Sequence, residues 1–215
     1  MKTEPEIFIR ANTALASPPH VPEIRLYLAN EAHELWLKTE EELDALGLPP
    51  PFWAFAWAGG QGLARHLIDN PGLVEAKSVL DFATGSGLVA IAAKRAGAAR
   101  VTAADIDPWA ATAARLNADE NRVAFDFRQT DLIGIDEGWD VILAGDVFYD
   151  QAMARLIWPW FTALAQRGAL VLVGDPGRAY CPRDRMELLA SYNVPVTRAL
   201  EDSEIKRTSV WRVAG

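Results

Sequence analysis

The feature that most constrains this chain is a short apolar strand that runs directly into a glycine-rich turn and then a helix. Residues 78–83 (SVLDFA) form the predicted strand, residues 84–87 (TGSG) the turn, and residues 88–96 an alanine-rich helix. Glycine lets the backbone of such a turn approach a ligand, and the start of the following helix presents unpaired amides. This arrangement alone is not specific, since Gly85, Gly87 and Ala90 also satisfy a relaxed dinucleotide fingerprint.

Strands and helices alternate through the middle of the chain. The pattern predicts further strands at 100–104, 123–127, 139–144 and 169–174, with helices at 108–119 and 151–165. Several strands are continuously apolar, which is typical of a parallel sheet covered on both faces. After a polar helix near 183–190, segments 194–200 and 205–213 alternate like paired strands. We therefore predict an α/β fold with a Rossmann-like, seven-stranded, mostly parallel sheet, helices on both faces and an antiparallel C-terminal hairpin.

The beginning of the chain differs from this pattern. Several prolines precede an acidic amphipathic stretch at 23–46, and Gly47 with the prolines at 49–51 ends it. The apolar positions that fit a helix in this stretch are Leu35, Leu37, Leu43 and Leu46. We predict an N-terminal helical extension at residues 1–50 and a ligand-binding domain at residues 51–215.

Composition limits the classes of function. The chain has 215 residues, half of them hydrophobic, and a net charge of -8, which indicates one globular domain. Without a basic run, we expect neither a nucleic-acid partner nor a membrane partner. One cysteine, Cys181, and three dispersed histidines predict no disulfide and no metal site. An acidic start and the lack of a long apolar run lead us to expect a cytoplasmic protein.

Acidic residues at the ends of the strands indicate which class of ligand the site binds. Asp81 lies inside the first strand, four residues before Gly85, where it would repel a pyrophosphate but attract the ammonium and sulfonium of S-adenosylmethionine. Asp105 ends the next strand and suits ribose hydroxyls, while Asp131 suits the adenine amine. Asp107 has the alternative role of capping the helix that begins at Pro108. The C-terminal hairpin also stands where a dinucleotide-binding fold requires its second mononucleotide-binding half.

With these residues in place, the chain resembles the class I S-adenosylmethionine-dependent methyltransferases. The resemblance rests on DFATGSG from Asp81, AADIDP around Asp105 and AGDVFYD around Asp146. More narrowly, the segment PFWAFAWAGG from Pro51 and the acidic and aromatic residues Asp146 and Tyr149 resemble the protein-lysine methyltransferases of the electron transfer flavoprotein beta subunit. Ala83 departs from the family pattern, which often has the first glycine of the turn there.

The resemblance implies roles for particular positions. Trp57, Gly85, Asp105 and the backbone near Leu132 and Gly145 would line the cofactor site. Asp146 and Tyr149 would face the methyl acceptor, with Asp146 attracting a lysine ammonium and accepting its proton. Trp53 fits core packing better than a ligand contact, and for Trp57 both roles remain open.

Other functions remain open at this point. The acceptor could be another protein, such as a ribosomal protein, or a small amine, since one fold serves many acceptors. The chain could also be a cofactor-binding module without catalysis, although the presence of Asp81, Gly85, Gly87, Asp105 and Asp146 argues against that. A nicotinamide oxidoreductase is the weakest alternative.

Overall fold

A computed structural model describes residues 4–29, 50–196 and 203–215. Five α-helices are assigned in this part, at α1 (Pro5–Asn12), α2 (Ala58–Asp69), α3 (Leu88–Arg95), α4 (Pro108–Glu120) and α5 (Gln151–Gln166). The strands in the same residues are β1 (Ala14–Ala16), β2 (Leu26–Leu28), β3 (Ser78–Phe82), β4 (Arg100–Asp105), β5 (Asp126–Gln129), β6 (Val141–Gly145), β7 (Leu170–Asp175), β8 (Met186–Pro195) and β9 (Ile205–Val213).

Seven of these strands form the main sheet in the order β5-β4-β3-β6-β7-β9-β8. The first five in this order pair in parallel, and β9 pairs antiparallel with both β7 and β8. Helices α2 and α3 pack on one face of the sheet and α5 on the other, each against a buried apolar cluster. The predicted fold class is confirmed. From β3 the chain adds β4 and β5 on one side, and it then adds β6 and β7 on the other side of β3. The direction in which strands are added thus reverses at β3, so the crevice beyond the carboxyl end of β3 is the expected ligand site.

Two predictions about the outer strands were wrong. The third strand begins at Asp126 instead of residue 123, and the region 183–190 is not a helix. Only the short 3-10 turn Arg183–Arg185 precedes β8, which starts at Met186 and ends at Pro195. Both strands lie at the edges of the sheet and are partly exposed. For β5 only the bounds were wrong, since the segment was predicted as a strand. The β8 sequence begins with Met, Glu, Leu, Leu and Ala, which favour a helix by themselves, and its pairing with β9 overrides that local preference.

The described N-terminal residues pack onto α4. Helix α1 contributes the buried Ile9 to a cluster with α4, and β1 pairs with β2 to form a separate small sheet. The side chain of Asn117 on α4 accepts a hydrogen bond from the Tyr27 amide at 2.7 Å, which ties β2 to the helix. The stretch predicted as a helix at 23–46 thus contains strand β2 near its start. The four leucines that fit the predicted helix lie outside the described residues: Leu35, Leu37, Leu43 and Leu46. Among the described residues, no helix is both long and apolar enough to cross a membrane.

Helix α2 approaches the carboxyl ends of β6 and β7 at unusually short range because glycines meet there. A Cβ on Gly174 would come within 2.9 Å of the Gly59 carbonyl carbon and 2.9 Å of the Leu63 Cβ. A Cβ on Gly145 would come within 2.8 Å of the Gly60 Cα. This contact sets the position of the first turn of α2 above the predicted site.

We expect Gly174→Ala to lower the free energy of unfolding by about 1–3 kcal/mol, because the added methyl group meets the Gly59 backbone and the Leu63 Cβ, neither of which can move without shifting α2. Urea unfolding measures this. Gly72→Ala is the matched control, because nothing lies within 4 Å of a Cβ at Gly72. An equal loss of stability in both variants would contradict the close contact.

Candidate functional site

The glycine-rich turn lies at the carboxyl end of β3 in a left-handed backbone conformation. Ala83, Gly85 and Gly87 have φ angles of 55°, 51° and 80°. Ala83 thus adopts a left-handed conformation that glycine takes without strain, at a cost of about 1–2 kcal/mol. The Gly85 amide donates to Asp105 Oδ2 at 2.9 Å, so the turn is attached to the end of β4.

Asp81 lies beneath this turn and is only 1% exposed. Its Oδ2 accepts hydrogen bonds from the Thr84 hydroxyl and, at 2.9 Å, from the Ala90 amide in α3. Burial raises the pKa of Asp81 to about 7, against the opposing effect of these two hydrogen bonds. Asp81 therefore supports the turn from below, through the hydrogen bonds that it accepts from Thr84 in the turn and from Ala90 in α3.

Asp105 and Asp107 lie beside the turn. Asp105 Oδ1 accepts from the Asp107 amide at 3.0 Å, and burial raises the pKa of Asp105. Asp107 caps α4 by accepting from the Trp109 amide at 2.8 Å, so its alternative role as a helix cap is confirmed. Burial also raises the pKa of Asp107 to about 6.

The two predicted site residues in the loop after β5, Asp131 and Leu132, differ in exposure. Asp131 is exposed and accepts from the Ile133 amide at 2.9 Å, whereas Leu132 is fully buried. The loop is thus anchored by Leu132 and leaves the Asp131 carboxylate at the surface. Their roles at the cofactor stay predictions.

The tryptophan-rich segment before α2 covers the turn. A Cβ on Gly85 would lie 3.9 Å from the Phe52 carbonyl oxygen and 3.9 Å from the Trp53 Cα. Trp53 is buried and stacks on Trp109 with ring centroids 6.2 Å apart, as its predicted core role requires. Trp57 is partly exposed, and its indole nitrogen donates to the Phe52 carbonyl at 3.0 Å.

Asp146 follows β6 in a left-handed conformation with a φ of 58°. Its Oδ2 accepts from the Gly60 amide in the first turn of α2 at 2.9 Å. Its Oδ1 accepts two hydrogen bonds from Arg178, from Nε at 3.0 Å and from Nη2 at 2.6 Å. The carboxylate is 8% exposed, so it is a nearly buried anion held against α2 and a cation.

Arg178 is the site residue that our sequence reasoning missed. It lies in the loop between β7 and β8, and its Cζ is 5.6 Å from the Trp57 ring centroid as well as beside Asp146. The available signal was its place just after the apolar strand β7, at the same sheet edge as the predicted carboxylates.

Tyr149 lies at the rim of the site and is half exposed. Its ring centroid is 5.7 Å from that of Phe52, which is itself exposed. Burial, followed by the charges of Asp150 and Asp105, raises the pKa of Tyr149, which keeps the hydroxyl neutral at physiological pH. The structure thus brings Tyr149 and Asp146 to the sheet edge that carries the turn.

The residues at the turn fit S-adenosylmethionine. The carboxyl groups of Asp81, Asp105 and Asp107 gather where a pyrophosphate would have to bind, and such a set of acceptors suits a cation with ribose hydroxyls. Above Gly85, the backbone of Phe52 and Trp53 is no closer than van der Waals distance to an added carbon. The cluster of carboxyl groups agrees with the predicted cofactor and disfavours a dinucleotide.

This sheet order and site define an S-adenosylmethionine-dependent methyltransferase. A crystal structure of a ribosomal protein L11 methylase from Lactobacillus delbrueckii subsp. bulgaricus has a TM-score of 0.52 at 22% identity, covering 74% of this chain and 81% of that one. Magnesium protoporphyrin IX methyltransferase from Synechocystis PCC 6803, with bound S-adenosylmethionine, has a TM-score of 0.53 at 19% identity over 72% and 78% of the two chains. A family model for ribosomal protein L11 methyltransferase (PrmA) matches residues 66–174.

The narrower family follows from sequence identity. The electron transfer flavoprotein beta subunit lysine methyltransferase of Xenopus laevis is 39% identical over 216 residues, which span 97% of this chain and 87% of the relative. The chain therefore belongs to the electron transfer flavoprotein beta subunit lysine methyltransferase family. The resemblance stated from the sequence motifs is confirmed at this level.

Proposed function

We propose that this protein methylates lysine side chains of the electron transfer flavoprotein beta subunit. The observation that carries the proposal is the extent of the identity, which reaches 97% of the chain and so includes the segment over the turn and the Asp146 site. The fold alone would allow many acceptors.

Methylation of a ribosomal protein is the second candidate. The L11 methyltransferase family model supports it, but that match covers residues 66–174 only. It includes β3, the glycine-rich turn and Asp146, and ends before Arg178 and the C-terminal hairpin. The match leaves out the tryptophan-rich segment at 51–57, Arg178 and the C-terminal hairpin, so it argues less strongly for a particular acceptor.

The residues at the glycine-rich turn and the neighbouring strand ends would bind the cofactor. When bound, S-adenosylmethionine supplies a methyl carbon that an amine lone pair attacks in line, while sulfur takes the electron pair of the broken bond. Asp105 would accept hydrogen bonds from the ribose hydroxyls. Gly85 and Gly87 would let the backbone of the turn approach the cofactor. The remaining predicted contacts of the cofactor site are Trp57, Asp81, Asp131, Leu132 and Gly145. Gly145 contributes through its backbone, which packs against Gly60.

The acceptor side depends on Asp146 and Tyr149. A lysine arrives as an ammonium ion, and the nearly buried carboxylate of Asp146 attracts it and then accepts or relays its proton. The ring of Tyr149 and that of Phe52 border the entrance and direct the amine. Their exclusion of water keeps the amine unsolvated for attack.

The test is a transfer assay with labelled S-adenosylmethionine, the purified flavoprotein heterodimer and purified ribosomal protein L11. We expect label on lysines of the beta subunit, located by peptide mass spectrometry. Label on ribosomal protein L11 alone would replace the proposed substrate with the second candidate. Cofactor binding without label on either protein would contradict methyl transfer to lysines of both proteins.

We further propose a reducing, cytoplasmic compartment, which the single cysteine supports.

A further inference from the structure

Asp146 and Trp57 form a cation site, and in this structure the cation is part of the chain. The guanidinium of Arg178 makes two hydrogen bonds to Asp146 Oδ1, at 3.0 and 2.6 Å. Its Cζ also lies 5.6 Å from the Trp57 ring centroid. A carboxylate oxygen and an aromatic ring are the groups that recognise an ammonium ion in proteins.

We infer that Arg178 occupies the position of the substrate's lysine ammonium, and that the acceptor lysine enters by displacing the guanidinium from Asp146. This inference rests on the proposed function, since it requires an amine as the methyl acceptor. It adds a positioning residue, Arg178, that determines how readily the acceptor binds.

The burial of Asp146 explains why a cation exchange is needed. The carboxylate is 8% exposed, and its Oδ2 stays bonded to the Gly60 amide. A nearly buried carboxylate that loses its cation is strongly destabilised. If the lysine ammonium replaces the guanidinium on Oδ1, Asp146 faces a positive charge both before and after substrate binds.

The loop around Arg178 allows its side chain to leave without unfolding. Its backbone amide donates to Asp175 Oδ1 at 2.9 Å, and its carbonyl accepts from Arg183 at 3.2 Å. The side chain itself is 21% exposed and has a long flexible stem. Rotation of this stem can move the guanidinium away from Asp146 Oδ1 while the backbone stays fixed.

The chemistry of arginine suits this position. A guanidinium holds its proton far more tightly than an ammonium does, so beside the same base it is a much poorer methyl acceptor than a lysine amine. Arg178 therefore neutralises Asp146 in the free enzyme without consuming the cofactor. A lysine at the same place would be an acceptor.

Arg178→Lys tests this directly. Incubated alone with labelled S-adenosylmethionine, the variant should methylate its own position 178, at a first-order rate that does not change with enzyme concentration. Peptide mass spectrometry locates the label. Arg183→Lys is the matched control in the same loop, and we expect no label at position 183. Absence of label at position 178 in a folded, cofactor-binding variant would overturn the inference.

Arg178→Gln supplies an independent measurement. Without the competing cation, Asp146 gains more from binding the substrate's ammonium, so the KM for the flavoprotein substrate should fall about threefold to tenfold. A merely structural role predicts the opposite, a lower kcat with an equal or higher KM. Thermal melting and cofactor titration confirm that each variant is folded.

The two proposals fail in different ways. If wild type labels the beta subunit but neither Arg178 variant behaves as expected, the exchange is wrong and the proposed function stands. If the Arg178→Lys variant labels itself while wild type leaves the beta subunit unlabelled, the acceptor site is correct and the proposed substrate is wrong.

Discussion

Asp146→Asn should lower kcat/KM for lysine methylation by about 100-fold or more, since it removes the charge that attracts the ammonium and the base that receives its proton. Asparagine tolerates the left-handed backbone of this position and retains an oxygen that can accept from the Gly60 amide. Affinity for S-adenosylmethionine should stay within about threefold. Steady-state methyl transfer and isothermal titration measure the two quantities separately.

Asp150→Asn is the matched control for this experiment. Asp150 also carries a carboxylate next to the acceptor side, but its Oδ1 caps α5 by accepting from the Met153 amide at 2.8 Å. Asparagine is an equally good helix cap, so activity and stability should be unchanged. If Asp146→Asn kept a third or more of wild-type activity, the acceptor carboxylate would have to be another residue.

The central strands could be predicted because burial on both faces requires apolar runs. Strands β3, β4, β6 and β7 lie within two residues of their predicted bounds. The edge strands were predicted less well, since one side of each is unpaired. The β5 sequence DFRQ is mostly polar, and the β8 sequence MELLASYNVP begins with residue types that favour a helix. Local pattern decides secondary structure well where the environment is uniform, and poorly at an edge.

The site shows the same division. Asp81, Asp105 and Asp146 could be located because each follows from its position relative to a buried strand, and the carboxyl ends of parallel strands meet at one edge. The Asp146 and Arg178 pair depends on the loop after β7 returning to β6, which no local pattern determines. Its recognition needs the folded structure, since the two residues are 32 positions apart.

Asp81→Asn should change the pH dependence of both folding and cofactor binding. Both structural hydrogen bonds end on a single oxygen, Oδ2, so asparagine can keep those from Thr84 and Ala90 while losing the charge. The pKa of Asp81 is about 7 in the folded protein against 3.8 as the reference value, because the carboxyl group is buried. A raised pKa means that the folded state binds the proton more tightly than the unfolded state does.

The sign of the effect on stability follows from this difference. The contribution of Asp81 to stability is complete below pH 3.8 and is lost as the pH rises to 7 and above. Without cofactor, the variant should therefore match wild type near pH 4 and exceed it at pH 8, by on the order of 4 kcal/mol. Urea unfolding at several pH values measures the difference. Parallel curves for the two proteins would show that Asp81 is ionised without cost.

At high pH, wild type should bind the cofactor more tightly than the Asp81→Asn variant does, although the variant is the more stable protein there. The reason is that a bound cation stabilises the ionised form of Asp81. At pH 8, Asp81→Asn should bind S-adenosylmethionine about tenfold more weakly than wild type, and near pH 5 the two affinities should converge. S-adenosylhomocysteine lacks the sulfonium charge, so its affinity should depend less on pH. Asp140→Asn is the matched control, because its exposed carboxylate accepts from Ser78 at the other end of β3. A loss of affinity that is the same for both ligands and does not change with pH would indicate that Asp81 supports only the shape of the turn. A loss that grows with pH, and is larger for S-adenosylmethionine, would mean that the charge of Asp81 selects the cofactor.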